Sequence, residues 1–278
     1  MLAATPTYAL PPTPPVDPDI VEWKDEWRKM QAWEYGLTLG MGLGVVGIMT
    51  LDDPPADGPT GGVLFDNAVR RLLVADTRSG RDTARLIGDI GYRTMLIYPT
   101  LDAVLAWAIH GDGEYAWQMW AMTVEVTAFA GLVAFVTDHY VPRARPSVTR
   151  CKRDGAYEAF CNEDDEFQSF ISGHTAIASA GAGVTCAHHL NAPLYGGGWG
   201  DVAACGGTIA LALTTGIARL VNDRHYASDV LVAWIVGGAA GFLWPALYHY
   251  ADTDESLGVM ILPFGTSDAI GAQATGTW

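Results

Sequence analysis

The sequence predicts an all-α protein, a multi-helix membrane bundle of about six spans. Three observations carry that prediction. Half of the residues are apolar and only 17% are charged. Tyr35–Leu51, Val202–Ala218 and Val230–Tyr250 contain no Asp, Glu, Lys or Arg. The last of these runs reaches the length of about 20 apolar residues that a helix needs to cross a bilayer. Mean hydropathy is only mildly positive, so the placement of charge argues more strongly than its amount.

Met1–Ala9 looks like the tail of a signal peptide that lacks a basic start. The Pro-rich stretch from Pro6 to Pro18 is expected to be extended. Residues 19–34 set Trp23, Trp27 and Trp33 among mixed charges and predict an amphipathic helix at a membrane interface. Tyr35–Leu51 is the first candidate span, and Asp52–Gly62 is turn-rich. Residues 63–90 place Leu64, Val69, Leu72, Leu73, Leu86 and Ile87 against Arg70, Arg71, Arg78, Arg81 and Arg85. They predict helix, either lying on anionic lipid or packed on the core.

Thr94–His110, interrupted by Asp102, and Trp117–Thr137, interrupted by Glu125, are weaker spans. His174–Leu190 is rich in Gly, Ala, Ser and Thr, which suits close helix packing. Val202–Ala218 and Val230–Tyr250 complete the set. The connectors Gly111–Tyr115 and Asn191–Asp201 are short, whereas Val141–Phe170 is long and polar, the kind of loop that tends to be functional. In the tail, Ile261, Leu262 and Phe264 precede a Gly/Ala/Thr alternation able to pair as a hairpin. The expected organisation is a lead-in and interfacial helix over 1–34, a membrane domain over 35–250 and a tail over 251–278.

A net charge of −15 argues against a nucleic-acid partner. Arg143, Arg145, Arg150, Lys152 and Arg153 nevertheless cluster in a chain with only 16 Lys and Arg. Such a cluster suits a small anionic ligand; a solvated basic loop is the other reading. Cys151 and Cys161 flank a short polar segment and can close a disulfide in an oxidising compartment. Cys186 and Cys205 lie in apolar sequence and read as buried small residues. No Cys-x-x-Cys or nearby His suggests a metal site.

Three short motifs carry chemistry. Arg145-Pro146 comes first, then Ser172-Gly173-His174, then Arg219, His225 and Asp229 in the run R-L-V-N-D-R-H-Y-A-S-D. With six crossings, all of them fall at span ends on one side. His225 and Asp229 are four apart and would share a helix face. There the carboxylate would fix the tautomer of His225 and raise its basicity as a nucleophile. Ser172 and Gly173 open a helix, where hydroxyl and N–H groups favour an anion. His174 would protonate the leaving oxygen, and Arg143, Arg145 and Arg219 would neutralise phosphate charge. Each motif alone is a weak signal; an arginine at a span end, for example, can simply snorkel.

Together these residues resemble the three-part signature of the type 2 phosphatidic acid phosphatase superfamily, which includes lipid phosphatases, bacterial class A acid phosphatases and vanadium haloperoxidases. The signature reads Lys-x6-Arg-Pro, Pro-Ser-Gly-His and Ser-Arg-x5-His-x3-Asp, and the resemblance covers about 116–250. It implies a metal- and cofactor-independent phosphatase acting through a phosphohistidine at His225. Asp229 would orient His225 and His174 would be the acid. Arg145, Ser172, Gly173 and Arg219 would form the phosphate cradle. Three positions depart from the pattern: Asp138 replaces the lysine, Ile171 the proline and Ala218 the serine. Asp138 matters most, since it puts an anion where a phosphate-binding cation is expected; Arg143, Lys152 or an arginine between 70 and 85 are possible substitutes. The expected substrate is a membrane-lipid phosphate or diphosphate, handled at the extracytoplasmic face of a bacterial inner membrane. A soluble-type periplasmic acid phosphatase and a non-catalytic lipid-phosphate binder or transporter remain as alternatives.

Overall fold

A computed structural model of the chain describes residues 21–51, 53–158, 161 and 165–251, together with the backbone of strands at 260–265 and 270–275. The signal-like start and the Pro-rich stretch lie outside the described residues. Eight α-helices follow in order among them: α1 (Ala32–Leu51), α2 (Asp66–Leu73), α3 (Arg78–His110), α4 (Gly113–Tyr140), α5 (Val148–Cys151), α6 (Gly173–Asn191), α7 (Trp199–Val221) and α8 (Ala227–Trp244). α8 continues into a π-helical turn at Pro245–His249. The tail holds β1 (Met260–Gly265) and β2 (Ile270–Thr275), paired antiparallel from Met260 opposite Thr275 to Gly265 opposite Ile270.

Local chemistry marks the helix ends. Thr77 caps α3 by accepting from Gly80 N–H at 3.1 Å, and Gly111 ends it at φ 77°, a left-handed position open to glycine. Asp112 then caps α4, accepting from Glu114 and Tyr115 N–H.

α6 is the axis of the bundle, packed against α8, α7, α3 and α4, and every residue from Thr175 to His189 is buried. Its small side chains make this possible. A Cβ built on Gly237 or Gly241 of α8 would lie 2.1 Å from the carbonyl oxygens of Ala176 and Ala180, so the two backbones touch directly. α3 also lies close to α7 at Gly91, where a Cβ would strike the Thr215 side chain, its Oγ1 at 2.1 Å. Large apolar side chains point outward instead, among them Leu39, Leu43, Ile97, Val104, Ile209, Leu213, Ile235 and Leu247.

Among the described residues three helices are long and apolar enough to cross a membrane: Gly113–Tyr140, Trp199–Val221 and Ala227–His249. The protein is therefore a membrane protein, but the expected six spans are not reached on that criterion. α6 is made of small residues because it is enclosed by other helices, and α3 carries charge along much of its length.

Two further expectations are corrected. Residues 21–31 do not form an interfacial helix. Trp23 and Trp27 turn inward, with ring centroids 5.8 and 6.1 Å from Tyr115 and 5.7 and 4.8 Å from Tyr250. The amphipathic stretch 63–90 is divided between α2 and α3, and α3 runs on unbroken through the second candidate span.

Candidate active site

The end of α4, the start of α6, the α7–α8 turn and the charged half of α3 converge on one cavity of about 440 Å³. Its lining includes Asp138, Arg145, Gly173, His174, Arg219 and His225, so the predicted gathering at one face is present. Arg85, Asp89, Tyr92, Arg93, Asp165 and Arg224 join them. Five arginines face three aspartates, which leaves the cavity suited to an anion.

His225 sits in the turn before α8. Asp223 shapes this turn with a left-handed φ of 63°. Arg70 fixes the Asp223 carboxylate through two bonds of 2.7 and 2.6 Å, and the Tyr157 hydroxyl adds a third. Arg224 and His225 both donate their N–H groups to Arg219 C=O. His225 Nδ1 lies 2.8 Å from Ser169 C=O, which assigns the ring proton to Nδ1 and makes Nε2 the lone-pair nitrogen. Nε2 faces Arg145 Nη1 at 3.2 Å. Burial, then Arg145 and Arg219, push the imidazole pKa well below its ordinary value, so His225 is neutral.

Arg145 is buried. It donates to the carbonyls of Asp165 (2.9 Å) and Arg224 (3.2 Å) and pairs with the Asp165 carboxylate at 3.0 Å. Burial and the neighbouring Arg224 lower its pKa to about 10, which still leaves it charged at neutral pH. Arg224 pairs with Asp165 and, at 3.4 Å, with Glu158. Arg219 lies 3.7 Å from Asp89 and its buried Nε has no hydrogen-bond partner. His174 Nε2 is 3.0 Å from Asp89 Oδ1 and its ring packs on Tyr92. That bond from His174 is the main influence holding the Asp89 carboxyl below its usual value, against burial.

Three expected roles change. Asp229 does not bond His225: the helix begins only at Ala227, with Tyr226 as its cap, so the four-residue spacing does not bring the two side chains onto one helix face. Asp229 instead closes the capping box on Tyr226 N–H at 2.8 Å and accepts from Ser169 Oγ at 2.7 Å. It reaches His225 through Ser169, whose carbonyl accepts from the ring. Arg143 does not line the cavity. It bridges Asp229 and Asp66, lying 2.6 Å from Asp66, and stacks over Tyr226. Ser172 is fully buried with its hydroxyl on Thr175 Oγ1 at 2.8 Å rather than in the cavity.

Asp66 was not legible as a site residue. It accepts from Arg143, from Ser228 N–H and Oγ, and from Val63 N–H. Burial works to raise its carboxyl, but these bonds outweigh it and hold the pKa down. Arg224, adjacent in sequence to His225, carried a readable hint that sequence reasoning passed over. Of the suggested stand-ins for the lysine, only Arg85 lines the cavity; Lys152 is exposed beside Glu166. Asp138 Oδ1 is buried there without a hydrogen bond.

Cys151 and Cys161 form a disulfide in the loop flanking the site. Cys186 and Cys205 also form one, joining α6 to α7, rather than standing as single buried thiols.

Comparison with known proteins gives two matches. Residues 120–252 match the family model of the PAP2 superfamily. A lipid A 1-phosphatase from Porphyromonas gingivalis is 38% identical over 104 residues, a stretch covering 33% of this chain and 21% of the relative. The chain thus spans about a fifth of the length of the curated relative it matches. No solved structure matches significantly.

Proposed function

We propose, from the match of residues 120–252 to the family model of the PAP2 superfamily, that the protein is a phosphatase that hydrolyses a phosphomonoester or diphosphate on a membrane lipid. One observation carries this reading most directly: a neutral His225 presents Nε2 to the same cavity as Arg145, Arg219 and His174. The relative named above suggests a phosphate on lipid A as one candidate substrate.

In the proposed reaction, phosphate enters among Arg145, Arg219 and Arg85 and displaces Arg145 from His225 Nε2. The Nε2 lone pair attacks phosphorus. The P–O ester bond breaks, and the leaving oxygen takes a proton from His174. Asp89 beside the ring favours its protonated form, against burial and Arg219, which hold the His174 pKa down at about 4 before phosphate enters. Water then attacks the phosphohistidine with His174 as base, the P–N bond breaks and phosphate departs. The arginines stabilise charge on the equatorial oxygens in both steps. No step needs a metal ion. Ser169 C=O orients His225, and Asp229 and Arg143 hold Ser169 and its surroundings. The disulfide in the 151–161 loop favours an oxidising compartment and hence an extracytoplasmic site.

The test is phosphate release by detergent-purified protein in EDTA, with lipid phosphates and a water-soluble aryl phosphate, beside His225→Ala. Release from lipid that disappears in the variant supports the proposal. Release from the aryl ester alone supports an acid phosphatase of soluble type. Asp138 beside Arg145 favours a second reading, a non-catalytic lipid-phosphate binder. That reading predicts no release by the native protein and a gain of turnover in Asp138→Lys.

A further inference from the structure

At the other end of the bundle, Glu34, Glu125 and His249 meet in a buried cluster. Each offers one ligand atom, and the three atoms lie within 4.8 Å of one another. Glu34 and His249 are fully buried and Glu125 is 4% exposed. Glu125 is 13 residues before Asp138 on α4, so the cluster stands about 20 Å from the phosphate cavity along that helix.

With both carboxylates ionised, the cluster would carry more negative charge than its own members can offset. Among the described residues no lysine or arginine forms an ion pair with either carboxylate. Even a protonated His249 would leave one of the two charges uncompensated, a heavy cost inside a membrane bundle. A divalent cation beside a neutral imidazole leaves none.

The hydrogen bonding fits a metal ligand set. His249 Nδ1 is 2.9 Å from Arg28 C=O, which commits the ring proton to Nδ1 and leaves Nε2 as a lone-pair donor. Ligating histidines are ordinarily held this way by a backbone carbonyl. Nε2 makes no hydrogen bond, and neither does Glu34 Oε1, 3.2 Å away. Glu34 Oε2 is occupied by Gln31 N–H at 2.6 Å, so Oε1 is the free arm. Glu125 Oε2 lies 4.0 Å from Nε2 and is oriented by Trp244 Nε1–H at 3.0 Å. The 3.2 and 4.0 Å separations from Nε2 fall within the span open to atoms that each sit about 2.0–2.2 Å from one shared ion. His249 closes the π-helical turn, a distortion often found where a helix serves a site.

We propose that Glu34, Glu125 and His249 bind one divalent transition-metal ion of the zinc class. The ion clamps the first turn of α1 to α4 and to the π-helical turn that follows α8, and takes no part in the chemistry at His225. One imidazole with two carboxylates selects Zn²⁺, or Mn²⁺ as its nearest competitor, over soft thiophilic metals. This inference stands apart from the phosphatase reading, and its readouts do not involve turnover.

The experiment uses the full chain purified in detergent, stripped with a chelator and titrated with Zn²⁺. Metal content comes from mass spectrometry, the thermal midpoint from tryptophan fluorescence, and ligand geometry from visible absorption with Co²⁺ as probe. The expected result is one equivalent of bound metal, a midpoint that rises with free Zn²⁺, and Co²⁺ bands of a low-coordinate site. His249→Gln and Glu125→Gln should each lower Zn²⁺ affinity at least tenfold while His225→Ala leaves it unchanged. If a variant does not fold, the Zn²⁺-dependent midpoint of the stripped native protein decides alone. A midpoint insensitive to Zn²⁺, Mn²⁺ and Co²⁺ overturns the proposal and leaves the cluster held by protons. One equivalent bound equally well by His249→Gln overturns it too, by placing the ion elsewhere.

Discussion

Arg143→Ala separates the role suggested by sequence order from the role the tertiary structure assigns. Arg143 pairs with two carboxylates, Asp66 and Asp229, whose side chains are 0% exposed while its own is 11% exposed. Truncation leaves both anions buried without their cation. Breaking one buried pair costs about 3–5 kcal/mol. In a chain of this size each kcal/mol moves the thermal midpoint by about 2–4 °C, so the variant should melt roughly 6–20 °C lower. Asp229 would also loosen from Ser169, so turnover should fall too, but as a consequence of lost order around His225. The assay is thermal unfolding in detergent followed by tryptophan fluorescence, with phosphate release measured well below the midpoint. Asp66→Asn added to Arg143→Ala should recover part of the lost stability, because it removes one orphaned charge. An unchanged midpoint with a large loss of phosphate affinity would refute this reasoning and return Arg143 to the phosphate cradle.

Other outcomes can be checked alongside. Gly241→Val should abolish or strongly weaken folding, because its Cβ would meet Ala180 C=O at 2.1 Å where backbone faces backbone; overpacking alone costs about 1–3 kcal/mol, and size-exclusion profiles and circular dichroism would report the loss. Acidification should destabilise the protein on account of His225: its native pKa lies well below the ordinary 6.5, so below that pH the unfolded chain takes up a proton that the native state refuses, and stability falls. The drop in thermal midpoint from pH 7.5 to 5 should be smaller in His225→Gln than in the native protein. Arg85→Ala should raise KM for the phosphate substrate by about tenfold with a lesser effect on kcat, the loss of one charge-assisted contact from a partly exposed arm; an unchanged KM would remove Arg85 as the stand-in for the missing lysine.

The helical class was legible because long charge-free runs leave a chain few other solutions, and Tyr35–Leu51, Val202–Ala218 and Val230–Tyr250 all fall mainly within helices. The meeting of Arg145, His174, Arg219 and His225 was legible from their positions at span ends. The bond between His225 and Asp229 was misjudged because spacing was taken as helical where the chain is still turning. The inward Trp23 and Trp27 were read as interfacial because composition does not reveal a partner such as Tyr115 or Tyr250. Arg143 and Arg145 are two residues apart and chemically alike, and nothing local distinguishes the one that meets Asp66 from the one that meets His225.

The sequence by itself determined the class of fold, the end of the bundle where the site lies, and the residue types that fill it, because hydropathy and motif order are properties of the chain. Tertiary structure alone decided which carboxylate compensates which cation, that Ser169 rather than Asp229 holds His225, that Cys186 meets Cys205, and that Glu34, Glu125 and His249 come together in one buried cluster. Those outcomes depend on contacts across as many as 215 residues of chain, between Glu34 and His249, and on dry surroundings where a single unpaired charge costs more than any local preference can offset.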